Sequence, residues 1–135
     1  MSNKKILVVE DDADVRLGYN VLLKANHYDV CFAADGHSAV SEGRKHQPDL
    51  VLLDLGLPAG NGFIVLDWFR ANPYLSVIPI VVVSARDLHG NKERALSAGA
   101  RAYLQKPWDD EELLTTIGQL LGQSEAPVSQ DRYDL

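Results

Sequence analysis

Pro48-Asp49-Leu50-Val51-Leu52-Leu53-Asp54, followed by Leu55-Gly56-Leu57-Pro58-Ala59-Gly60-Asn61-Gly62, is the stretch on which the fold turns. An unbroken aliphatic run with no polar alternation fits a short strand buried on both faces, as in a parallel sheet covered by helices. The run from Asp49 to Leu53 ends in a carboxylate, and the glycines and proline beyond it read as a loop. A carboxylate at the end of a buried strand loses hydration unless something compensates it. Asp54 therefore asks for a partner from elsewhere in the chain.

The same form recurs on either side. Ile6-Leu7-Val8-Val9 is a second apolar run, and it ends in Glu10-Asp11. Ile78 to Val83 is a third, with Pro79 near its start, where a missing amide is tolerable, and Ser84 at its exit. Val30 to Ala33 and Arg101 to Leu104 are shorter strands, and the latter leads into Lys106-Pro107. Between them lie helical patterns. Asp12 to Asn26 carries Val15, Tyr19, Leu22 and Leu23 at helical spacing. Gly36 to His46 follows Asp35 as a cap. Gly62 to Ala71 offers Phe63, Leu66 and Phe69 as an inward face before Pro73 stops it. Asp87 to Ala98 is a weaker helix closed by Gly99, whose freedom suits a left-handed cap. Asp109 to Leu121 starts with capping-box spacing, Asp109 to Glu112, and presents Leu113, Leu114, Ile117 and Leu121 as its buried stripe.

Five strands alternating with five helices over short connections make an α/β domain with a doubly wound five-stranded parallel sheet. The expected domain covers residues 4–122, and 123–135 read as a flexible tail or linker stub. A chain of 135 residues, 46% of them hydrophobic, supports one core of ordinary size. Its formal charge of -6 argues against a nucleic-acid backbone as a direct partner. The single cysteine, Cys31, cannot form an internal disulfide and reads as a buried thiol. The first apolar run is too short for a membrane span or a secretory leader, so a cytoplasmic protein is expected.

Open α/β sheets bind ligands outside the carboxyl ends of their strands. Glu10, Asp11, Asp54, Ser84 and Lys106 all fall at such ends. Each alone has an ordinary reading: a helix cap for Asp11 or Asp12, a solvated charge for Lys106, a turn residue for Ser84. Together they suggest a metal-dependent phosphate site. Three convergent carboxylates repel unless a cation joins them, and Mg2+ prefers hard oxygen ligands. Lys106 and the Ser84 hydroxyl could then hold phosphoryl oxygens beside Asp54, the candidate nucleophile.

From Lys5 to Leu121 the pattern resembles the receiver domain of bacterial two-component response regulators, a flavodoxin-like (βα)5 fold. The resemblance rests on Ile6-Leu7-Val8-Val9-Glu10-Asp11-Asp12, Asp54-Leu55-Gly56-Leu57-Pro58 with Gly62, Ser84-Ala85 and Lys106-Pro107. It implies transfer of a phosphoryl group from a histidine kinase or histidine phosphotransfer protein to Asp54. It also implies Mg2+ held by Glu10, Asp11, Asp54 and the backbone carbonyl of Gly56, with Lys106 on the phosphoryl group. Ser84 and Tyr103 become switch residues, and Lys106-Pro107 a cis peptide. The surface of the fourth helix, fifth strand and fifth helix becomes the place where a second copy, an output domain or another partner binds. Such a protein catalyses its own phosphorylation and dephosphorylation without being a metabolic enzyme.

Departures from the common pattern are mild. Trp108 replaces a more usual phenylalanine, Glu10 an aspartate, Ser84 a threonine, and Gly56 a bulkier residue. Arg86 reads as a solvated surface charge. The main alternative is a noncatalytic receiver-like scaffold used for protein binding. A metabolite phosphatase would want a second acid where Gly56 stands, and a flavin carrier would not place acids where its phosphate loop belongs.

Overall fold

The computed structural model describes residues 3–57, 62–85 and 90–123. Its elements run β1 (Lys5–Val9), α1 (Ala13–Ala25), β2 (Asp29–Ala33), α2 (Gly36–His46) and β3 (Leu50–Leu53). They continue with α3 (Gly62–Ala71), β4 (Ile80–Ser84), α4 (Asn91–Ser97), β5 (Ala102–Gln105) and α5 (Asp110–Leu120). The five strands form one parallel sheet in the order β2-β1-β3-β4-β5. The expected doubly wound fold is present. Strand order reverses between β1 and β3, so their carboxyl ends flank the crevice that this topology opens.

Alternation along the strands splits the interior into two cores. Leu7, Val9, Val51, Leu53 and Val82 face Ala39 of α2, Val65, Leu66 and Phe69 of α3, and Ala95 of α4. Ile6, Val8, Leu50, Leu52, Val81 and Val83 face Tyr19 and Leu23 of α1 and Leu113 and Ile117 of α5. Burial on both faces explains why β1, β3 and β4 read as unbroken apolar runs.

Several local expectations shift. β4 begins at Ile80 rather than Ile78, because Pro79 has no amide to give; its carbonyl still accepts from the Val51 amide at 3.0 Å. On α3, Val65 is buried while Phe63 is only half-buried, lying under the Arg94 guanidinium at 3.9 Å. Leu114 and Leu121 are also only half-buried. Cys31 is half-buried rather than enclosed, and desolvation pushes its thiol up. Asp12 caps α1, accepting from the Asp14 and Val15 amides, and Asp109 caps α5 by accepting from the Glu112 amide. Asp35 caps α2 in a reciprocal box with Ser38.

Gly99 has φ +113° at the end of α4, as the cap reading required. Arg86 and the start of the expected fourth helix lie outside the described residues, as does the chain from residue 124. Gln123, the first residue of the expected tail, accepts from the Tyr28 hydroxyl at 2.9 Å.

Candidate functional site

β1 and β3 are neighbours in register, Val9 opposite Leu53, so the residues that follow them leave the sheet side by side. The Asp54 amide donates to the Val9 carbonyl at 3.1 Å, and the Glu10 amide to Ala33 at 3.0 Å. The sheet ladder thus carries Glu10 and Asp54 to the same edge. Glu10, Asp11 and Asp54 each present a carboxylate oxygen within 4.8 Å of the others. Among the described residues this is the group of acids placed to share a metal ion.

Lys106 arrives from β5. Its amide donates to the Ser84 carbonyl at 2.6 Å, which ties the exits of β4 and β5 together. Its ammonium forms a close ion pair with Glu10 and lies 3.5 Å from an Asp54 oxygen. The sequence leads to an expectation of Lys106 on a phosphoryl group; the fold sets its ammonium against Glu10 and Asp54. Lys106-Pro107 is cis, as expected.

The electrostatics are uneven. Glu10 is 2% exposed. Desolvation raises its pKa and the Asp54 charge adds to the rise, while the Lys106 hydrogen bond opposes it. Asp11 is exposed and Asp54 half-buried. The Tyr19 hydroxyl is pushed up mainly by burial and further by the charges of Glu10 and Asp54, which places it in their field.

The described residues on either side of positions 58–61 lie in close contact with Asp54 and Leu55. Gly56 donates its amide to Asp54 at 3.1 Å. The Gly62 amide donates to the Leu55 carbonyl at 2.9 Å. A Cβ on Gly62 would come within 2.6 Å of the Leu55 Cα and 2.7 Å of the Asp54 carbonyl oxygen. Backbone cannot yield as a side-chain tip can, so glycine is required where α3 starts against Asp54.

Ser84 is buried at the end of β4, and Tyr103 is half-buried on β5, opposite Val82 and packed against the α2–α4 core. Two features escaped the sequence reading. Trp108 stacks on Tyr19, ring centres 4.0 Å apart and planes 11° from parallel, which joins the segment after Lys106 to α1. Arg16 Nη1 donates to the carbonyls of Glu10 and Asp11. One aromatic on α1 and another in the segment between β5 and α5 are the sequence signal of the first; no sequence spacing announces the second.

The donor set suits a hard divalent cation, since three clustered carboxylates supply oxygen ligands and an excess of negative charge that one lysine does not cancel. Among the described residues no helix is long and apolar enough to cross a membrane.

A family model for the response regulator receiver domain matches residues 6–118. The polar-differentiation response regulator DivK of Brucella anthropi is 32% identical over 119 residues, covering 88% of this chain and 97% of the relative. Among solved structures, a putative response regulator from Chloroflexus aurantiacus superposes with a TM-score of 0.85 at 29% identity, covering 90% of this chain and 99% of that one. The receiver domain of the sensor histidine kinase PA1611 from Pseudomonas aeruginosa, solved with a magnesium ion in its active site cleft, gives 0.83 at 30% identity with the same coverage.

Proposed function

The chain belongs to the response regulator receiver domain family, and from that membership we propose that it is a phosphoacceptor signalling domain with Asp54 as the phosphorylated residue. One observation carries the reading: three carboxylates from two neighbouring strand exits share one pocket with the Lys106 ammonium.

In this reading an Asp54 oxygen attacks the phosphorus of a phosphohistidine on a kinase or phosphotransfer protein. The P–N bond breaks as the P–O bond forms, and the imidazole leaves with a proton from solvent. Lys106, already 3.5 Å from Asp54, takes up charge on a phosphoryl oxygen. Glu10, Asp11, Asp54 and the Gly56 carbonyl would hold Mg2+, which when bound supplies positive charge that eases approach of two anions. Ser84 donates its hydroxyl to the phosphoryl group, and Tyr103 responds by repacking. This shifts the α4-β5-α5 surface toward a form that a partner, a second copy or an output domain recognises. Water later cleaves the acyl phosphate and resets the domain. A cytoplasmic setting accompanies this role.

The test is incubation with magnesium and a small-molecule phosphodonor, followed by intact mass. Wild type gains one phosphoryl group and Asp54→Ala gains none. Uptake by the alanine variant, or no uptake by wild type, would sink the proposal in favour of a noncatalytic binding scaffold.

A further inference from the structure

Past the end of β1 the backbone leaves the sheet, and its carbonyls lose the ladder that orients them. The amide of Glu10 is still held by Ala33 and the carbonyl of Val9 by Asp54. The next two carbonyls, Glu10 and Asp11, are met by one side-chain nitrogen. Arg16 Nη1 carries two N–H bonds and donates to the first at 2.8 Å and to the second at 2.9 Å. Arg16 is half-buried in the first turn of α1, and its own amide donates to the Asp12 carbonyl at 3.0 Å. The guanidinium is thus anchored to the helix that follows the acids and clamps the turn that precedes it. It forms these bonds to backbone, which fixes how the two peptide planes are turned and therefore where the Glu10 and Asp11 side chains point.

We propose that Arg16 is a positioning residue for the metal site, holding Glu10 and Asp11 toward Asp54 through their backbone carbonyls. The inference rests on the metal reading of that site. A cation beside clustered acids has a second, opposite effect. By Coulomb's law it repels Mg2+, so its charge alone makes metal binding weaker. The two roles therefore predict opposite signs when Arg16 is neutralised. If charge dominates, Arg16→Gln binds Mg2+ more tightly. If positioning dominates, it binds Mg2+ more weakly, on the order of tenfold, as for other groups that orient metal ligands from behind.

The experiment is calorimetric titration of the whole chain with MgCl2, without any phosphodonor, for wild type, Arg16→Gln and Arg70→Gln, an exposed arginine on α3. Weaker binding by about tenfold in Arg16→Gln, with Arg70→Gln at the wild-type value, supports the clamp. Amide exchange should also quicken at Asp11 and Asp12 but not at Val8 or Leu52. Equal or tighter binding by Arg16→Gln overturns the clamp while leaving the metal site standing. Absence of Mg2+ binding by wild type overturns the metal reading itself, and the clamp with it. Should the glutamine variant fail to fold, Arg16→Lys carries the test, because it keeps the charge while its shorter side chain draws the nitrogen back from the two carbonyls. A Kd above wild type's then supports the clamp, and an equal Kd overturns it.

Discussion

Leu52 and Asp54 are two residues apart on one chain segment and obey different physics. Leu52, 1% exposed, lies between neighbouring strands and the helices of one face, and removal from water is enough to hold it. Asp54 lies just past the strand end, where removal from water is a penalty that Lys106 partly offsets. The interior of the sheet stabilises the fold. Its carboxyl edge draws on that stability to hold like charges together, and tension of this kind at an edge is what a cation- or phosphate-binding site requires. Glu10 shows the contrast most sharply, being as buried as the core yet ionisable, with its pKa raised by that burial.

Substitutions in the two regions should separate stability from ligand affinity. The largest expected effect is in the interior. Phe69→Ala removes a ring that is 1% exposed and packed against Leu66, Leu75 and the α2 helix. It should lower unfolding stability by about 3–5 kcal/mol in urea denaturation, with Mg2+ affinity of the folded fraction unchanged. A matching loss of affinity would mean that the two regions are not separable.

The next effect is at the edge and has the opposite character. Because Glu10 has a raised folded pKa, metal-free protein loses stability as pH climbs from its ordinary value of 4.5 through the folded one. Below 4.5 the group is protonated in both states and exerts no such penalty. Glu10→Gln should therefore gain on wild type as pH increases across that window, read as the difference in melting temperature in EDTA, while Mg2+ binding weakens. A flat difference would show that the Lys106 ion pair fully compensates burial.

The smallest effect is local. Asp12 joins the acid-bearing turn to α1 and caps it through two amides. Asp12→Ala should cost about 1 kcal/mol and leave phosphoryl uptake in place, since Asp12 is not one of the clustered acids. Loss of uptake at full folding would move Asp12 into the site.

Much of this is legible in the sequence. Unbroken apolar runs are legible as buried parallel strands because both of their faces are covered, and acids at their ends are conspicuous because nothing else in the run is polar. Glu10, Asp11 and Asp54 stand out on those grounds, Lys106 by its place at the exit of β5, and the four lie together. The inward face of α3 was less legible. Phe63 and Val65 are both apolar, and which one turns inside depends on where the sheet and Arg94 lie, not on helical period alone. The Asp35–Ser38 box is less legible because the residue at N3 of that motif is usually Glu or Gln, not serine.

The order of apolar and polar residues along the chain determined the alternation of strands and helices, the parallel sheet and the polar exits where chemistry collects. That follows because burial and backbone hydrogen bonding act on each segment by its own composition. Which acid is buried and which is wet, that Lys106 pairs with Glu10 as well as Asp54, that Trp108 rests on Tyr19, and that Arg16 grips two carbonyls were decided only in three dimensions. Those relations depend on distances and dielectric surroundings between segments far apart in sequence, and such quantities exist only once the sheet has set its register.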